Sequence, residues 1–292
     1  MKNKNHKTTT IFTLTLGIIL TVITGCNKES KNCTEPREEP SWRSVCYGNG
    51  KFVAVDSRRK AAYSTDGINW KPATLPITVD LGNICYGNGK FVVRGDNNDI
   101  AYSTDGINWK ESRLPSVHQW SDICYGNGKF VIISQLDYYD PDYDGAIKAA
   151  YSIDGIKWHE TKMPSQEGWA SVCYGNGKFV VTSYGSKAAY SYDGINWKAS
   201  TLPDGEPWSS ITYVNGKFLA VNNTIGYGDS NIAAYSKDGI KWKTTTRSTE
   251  HDWLNVCYGN GKFVTISGGE IEYSEDKINW IKGTMPNNYG GE

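Results

Sequence analysis

An excess of one charge is the first thing this chain lacks. Its 292 residues carry 31 Lys and Arg against 31 Asp and Glu. Residues 1–25 hold Lys2, Lys4 and Lys7 and no acid, so the rest has 28 bases against 31 acids. Phosphate binding needs concentrated Lys and Arg, so this balance excludes nucleic acid as the main partner. Arginine is scarce: Arg37, Arg43, Arg58, Arg59, Arg94, Arg113 and Arg247 are the full set. His118, His159 and His251 share no metal-ligand spacing and read as ordinary surface residues. Beyond residue 25 no second hydrophobic run exists, so the body of the chain has no candidate spanning helix. Methionine is rare at 3, while there are 19 Tyr, 11 Trp and 31 Gly. Aromatics and Gly at that level suit strands and tight turns.

The start reads as a targeting segment. Three lysines form a basic n-region, Ile11 to Ile23 is short and apolar, and Ile23-Thr24-Gly25-Cys26 follows. This end resembles the bacterial lipobox, in which a small residue precedes a Cys that is lipidated and becomes the new N-terminus. The resemblance implies a signal peptide over 1–25 and a lipid anchor at Cys26, with the protein held on a membrane by its acyl chains. The alternative is an ordinary cleaved secretion signal with a chance Cys. Residues 26–40, polar and with two Pro, read as a tether spanning roughly 20 Å.

From residue 41 the chain repeats itself. Trp42-Arg-Ser-Val-Cys-Tyr-Gly-Asn-Gly-Lys-Phe-Val and Ala62-Tyr-Ser-Thr-Asp-Gly-Ile-Asn-Trp70 recur in six copies, over about 42–76, 81–115, 120–164, 169–203, 208–246 and 253–285. Such a period signals a repeat architecture. Within the first copy four strands are expected, at Ser44–Tyr47, Lys51–Val55, Ala61–Ser64 and Ile68–Lys71. Asn49-Gly50 and Asp66-Gly67 supply the tight turns, because both positions of an Asn-Gly hairpin turn want φ > 0. Four short antiparallel strands per copy make one blade, so the expected fold is an all-β, six-bladed β-propeller over 41–292. The later copies are worn: Thr212 and Val214 replace Cys and Gly in the fifth, and Asp276-Lys277 replaces Asp-Gly in the sixth.

The segment Ser64-Thr65-Asp66-Gly67-Ile68-Asn69-Trp70 resembles the Asp-box, or bacterial neuraminidase repeat, one residue shorter between Asp and Trp. Copies stand at Ser103–Trp109, Ser152–Trp158, Ser191–Trp197, Ser236–Trp242 and, without Gly, Ser274–Trp280. The likeness covers nearly all of residues 42–280 and extends to the propellers related to photosystem II assembly factors. It implies a sialidase-like propeller whose boxes are scaffold: Asp66, Asp105, Asp154, Asp193, Asp238 and Asp276 bind their own turns, and each box Trp buries its ring between blades, with an N–H that needs a partner. Sialidase chemistry would need an arginine triad, a Tyr nucleophile assisted by Glu, and an Asp acid. The Arg-Ile-Pro element expected near the start is absent, and nothing places three Arg at matching points of three blades.

Cys46, Cys85, Cys124, Cys173 and Cys257 hold one place in five copies. Equivalent points of neighbouring blades lie beyond the ~7 Å Cα reach of a disulfide, so these read as small side chains buried between blades. The connections between second and third strands vary, and variable loops on a rigid scaffold are where recognition sits. Gln135–Ile147 carries Tyr138, Tyr139 and Tyr143, and Asn222–Asn231 carries Tyr227; these four tyrosines are the expected ligand contacts, and drifted insertions are the alternative. Asp140, Asp142 and Asp144, before Gly145, resemble a calcium loop, although Tyr151 stands where an EF-hand places a bidentate Glu. A solvated acidic loop is the other reading. The expectation is a lipid-anchored propeller at a bacterial outer membrane or cell surface that binds a protein or glycan without catalysis; a carbohydrate-active enzyme of sialidase-like descent is the alternative.

Overall fold

The computed structural model describes residues 42–76, 80–135, 148–203, 208–214, 216–221, 232–246, 255–267, 270–274 and 281–283. In the first repeat the strands are β1 (Trp42–Gly48), β2 (Lys51–Asp56), β3 (Ala61–Ser64) and β4 (Lys71–Ala73). They pair antiparallel in chain order, and the next four repeats do the same. The sixth repeat pairs in that order too, with a last strand of two residues, Ile281–Lys282.

The turns explain the meander. Asn49 (φ 46°) and Gly50 (φ 72°) adopt the left-handed pair that an Asn-Gly hairpin requires, and Asn88, Asn127 and Asn176 repeat it. Across the hairpin Gly48 pairs with Lys51 and Cys46 with Val53. The fourth strand begins later than the sequence suggests, at Lys71 instead of Ile68. The reason is local: Asp66 Oδ1 accepts the N–H of Ile68 and of Asn69, each at 2.8 Å, so these groups are spent in the turn before any ladder can use them.

The first strand of each sheet packs against that of the next: β1 on Leu81–Gly87, that on Trp120–Gly126, then Trp169–Gly175, then Ser210–Val214. β1 also packs on Asn255–Gly259 of the sixth repeat. Polar side chains staple these strands. Ser44 Oγ accepts Ile84 N–H at 3.2 Å, and Asn83 donates to Asp122 Oδ1 at 2.7 Å. The apolar core is divided into layers between sheets. One holds Cys46, Val53 and Val55 of the first sheet with Leu81, Ile84, Phe91 and Trp109 of the second; another joins Trp42, Phe52 and Trp70 to Val264 and Ile271 of the sixth.

The layers depend on one close approach. A Cβ on Gly48 would lie 2.0 Å from the Tyr86 ring, and Gly87, Gly126 and Gly175 stand in the same relation to Tyr125, Tyr174 and Tyr213. Each glycine thus makes the slot for the next sheet's tyrosine.

The box tryptophans depart from expectation in one respect. Trp70 Nε1 donates to Gly67 O at 3.2 Å, but among the described residues Nε1 of Trp109, Trp158, Trp197 and Trp242 has no protein partner. An unmade hydrogen bond costs about 1–3 kcal/mol, whereas burying a ring of roughly 200 Å² at about 25 cal/mol per Å² contributes about 5 kcal/mol. Packing decides the ring position.

Candidate functional site

The strand directions give two faces. One carries the turns between first and second strands together with the Asp-boxes: Asn49 Nδ2 donates to Thr104 O at 3.1 Å, and Asn88, Asn127 and Asn176 reach Ile153, Tyr192 and Lys237 in the same way. The other carries the connections between second and third strands and those between sheets. Strands of five to seven residues separate these faces by roughly 20 Å.

Asp66, Asp105, Asp154, Asp193 and Asp238 all lie on the box face and serve their own turns. Asp66 takes Ser64 Oγ at 2.8 Å besides the two N–H groups, and its Oδ2 accepts Asn69 Nδ2 at 2.8 Å. Burial alone would raise this carboxyl; the hydrogen bonds from Asn69, Ile68 and Ser64 outweigh it and hold the carboxyl well below the usual range. Cys26, Tyr138, Tyr139, Tyr143, Tyr227, Asp140, Asp142, Asp144 and Asp276 lie outside the described residues. The turn at Lys277 and the histidine at 251 lie outside them as well. His118 packs edge-on to Trp120 with centroids 5.5 Å apart, while His159 sits on a fourth strand beside Tyr151, so the two serve separate places.

The loop face holds a pocket of about 520 Å³, lined by Arg94, Asp96, Gln119, Ser121, Gln135 and Tyr184 among others. Three repeats build it. Arg94 and Asp96 come from the end of the second repeat's second strand, Gln119 and Ser121 from the entry to the third sheet, and Tyr184 from the fourth repeat. Gln135 Nε2 donates to Gln119 Oε1 at 2.8 Å and closes one wall. Gln135 is also the last described residue before the Tyr-rich connection.

Arg94 stands where sister repeats carry Val55, Ile133 and Thr182. Its guanidinium lies across Gly82: a Cβ there would come within 2.1 Å of Cζ. Sister repeats carry Arg43, Ser121 and Ala170 at that position, so this is the one sheet among the first four with room. Arg94 Nε donates to Ser121 O at 3.1 Å. Among the described residues its terminal nitrogens have no protein acceptor. Burial pushes the guanidinium pKa down and the charges of Asp122 and Asp96 push it back, so it stays cationic.

Under the pocket, Asp122 is buried and saturated. Oδ1 accepts Asn83 Nδ2 and Ile123 N–H, and Oδ2 accepts Ser171 Oγ at 2.7 Å and Val172 N–H at 2.9 Å. Burial raises this carboxyl, against those hydrogen bonds and Arg94. It joins three first strands and is spent on that task. Burial raises the thiols of Cys85, Cys124 and Cys173 well above the ordinary range, which disfavours the nucleophilic thiolate. The pocket therefore offers one cation, one carboxylate at its rim, amides, a Trp and a Tyr. Among the described residues it lacks the arginine triad and the paired carboxylates that glycoside hydrolysis uses.

Solved structures place this architecture. YCF48 from Cyanidioschyzon merolae superposes with a TM-score of 0.55 over 85% of this chain and 86% of its own, at 13% identity. The fold is a β-propeller. A structure titled YCF48 bound to D1 peptide is similar at 0.55, with 15% identity over 83% of this chain and 80% of that one. The computationally designed Ika8 protein matches at 0.53, with 8% identity over 80% and 70%. At such identities the likeness shows the propeller fold alone. No family model matches the chain, and no curated protein is similar to it in sequence.

Neither Arg94 nor Gly82 was among the expected site residues. The signal was present in the repeats: a charge in an otherwise uncharged column, opposite a glycine in a column of larger residues.

Proposed function

We propose that this protein is a non-catalytic binding or assembly module, a six-bladed propeller of the Asp-box type anchored to a bacterial envelope through lipidated Cys26. The domain is 41–292 and residues 26–40 are its tether. The ligand is a protein segment, and it docks on the loop face with an anionic group against Arg94. The observation that carries this reading is the Arg94 guanidinium: half-buried and, among the described residues, held by one hydrogen bond with its terminal nitrogens turned to no protein acceptor. A planar fork of N–H donors in a partly desolvated wall favours a carboxylate. The propeller solved with D1 peptide supports the view that this fold can hold a peptide. Tyr138, Tyr139, Tyr143 and Tyr227, expected from the sequence on connections of this face, would add contact area, and calcium at Asp140, Asp142 and Asp144 would order the blade-three connection.

In-cell crosslinking followed by pull-down tests the reading, with the native protein beside Arg94→Gln and a variant with 135–147 shortened. One protein recovered near stoichiometric amounts from the native form, and lost from both variants, supports it. Recovery of no protein from any form sinks the protein-ligand reading, and glycan binding and sialoside hydrolysis then become the assays to run.

A further inference from the structure

The chain enters the propeller at Trp42, and β1 starts on the loop face. On the lipid-anchored reading, the segment leading from Cys26 joins the domain at the edge of its loop face. Residues 27–41 intervene, and as the flexible tether expected from their composition they would span roughly 20 Å. Beside this entry stand Arg43, Arg58, Arg59 and Lys60. Trp42 pairs with Asp56, and the buried Asp56 carboxylate accepts Arg58 N–H at 2.9 Å and Lys60 N–H at 2.7 Å. That carboxylate fixes the shape of the basic connection, whose Arg59 takes φ 68°. Arg43, Arg58 and Arg59 are exposed. Asp80 Oδ1 lies 4.0 Å from Arg59 Nε, an exposed pair of small weight.

We propose that the loop face is the membrane-facing side of the propeller. Arg43, Arg58, Arg59 and Lys60 rest on anionic phospholipid headgroups, and the Arg94 pocket opens toward the bilayer surface. The bound segment is then one displayed at that surface. Cations at an anionic leaflet strengthen binding by about fivefold each. The inference rests on the lipid-anchored reading above, and its test separates the two.

Lipidated full-length protein is mixed with vesicles of phosphatidylcholine, or of phosphatidylcholine with one-third phosphatidylglycerol, and lysine acetylation rates are read by mass spectrometry. Lys60 reports the loop face and Lys237 the box face. On anionic vesicles Lys60 should react about tenfold more slowly than on neutral ones while Lys237 keeps its rate. In R43E/R58E/R59E the slowing of Lys60 should disappear. Lys60 reacting equally on both vesicles, or Lys237 slowing in its place, overturns the inference. The mass of the Cys26 peptide and sedimentation with neutral vesicles score the anchor alone: absence of acyl mass removes the anchor, and Lys60 on anionic vesicles still decides the headgroup contact.

Discussion

Asn260 Nδ2 donates to the carbonyl of Thr65 at 3.2 Å, across 195 residues of chain. It is the same latch that Asn49, Asn88, Asn127 and Asn176 make between consecutive repeats, here joining the last repeat to the first. Asn260→Ala loses that bond and places Ala at φ 47°, where a Cβ is strained. We expect a loss of about 1–2 kcal/mol in denaturant unfolding, and for Asn260→Gly only the bond's share of about 1 kcal/mol. Equal stability of Asn260→Ala and the native protein would show that the first and last repeats do not depend on this latch.

Gly82 and Arg94 form a second exclusive pair. Gly82→Ala places a Cβ 2.1 Å from Cζ of Arg94, so the guanidinium must leave the wall. Ligand affinity should fall by at least tenfold, as it should in Arg94→Gln, since a charge-assisted hydrogen bond contributes about 1.5–3 kcal/mol. The double variant should bind no worse than either single one, because both remove one contact. Additive losses, measured by titration calorimetry with the captured partner's segment, would separate the two residues.

The repeats explain what could be read from the sequence and what could not. Turns and strands were legible because each copy restates them: Asn49-Gly50 and Asp66-Gly67 fix φ locally, with no help from distant chain. The fourth-strand start was misplaced at Ile68 because Asp66 takes the N–H groups on which a ladder would depend. The pocket was hidden for a different reason. Arg94, Gln119 and Tyr184 come from three repeats, and no spacing within one copy links them. Comparing copies column by column exposes Arg94 among Val55, Ile133 and Thr182, and Asp122 among Ser44, Asn83 and Ser171. Deviation from the repeat marks the site better than length of insertion does.

Acid should unfold this protein through its boxes. Hydrogen bonds from Asn69, Ile68 and Ser64 outweigh burial at Asp66, and the matching donors do so at Asp105 and Asp193, so these carboxyls sit well below the ordinary value. A folded-state pKa below the unfolded one gives stability that is present above about pH 4 and lost as pH falls through the folded value. Asp56 and Asp122 are raised by burial and act oppositely, with their stability falling as pH rises from about 4. Unfolding midpoints between pH 2 and 5 should therefore drop toward acid in the native protein, and drop less in Asp66→Asn. A variant curve parallel to the native one over that range would remove Asp66 from the account.

Asp122 is the test of how the inner strands hold together. Its two oxygens accept four donors, from Asn83 in the second repeat, Ile123 in its own, and Ser171 and Val172 in the fourth. Asp122→Ala leaves these donors buried without acceptors. Each orphaned donor costs about 1–3 kcal/mol, and relaxation or entering water recovers part of that, so we expect a loss of about 3–5 kcal/mol. Asp122→Asn keeps the shape but turns one acceptor into a donor facing Ser171 or Asn83, and should cost about 2 kcal/mol. Ser171→Ala removes one donor from an acceptor that keeps three others, and should cost less than either, about 1 kcal/mol. The order of the three losses in denaturant unfolding is the discriminating result. If Asp122→Ala is the mildest, the carboxylate is a buried charge that the fold tolerates. If it is the most severe by the margin given, it is the group that binds three neighbouring sheets beneath the Arg94 pocket.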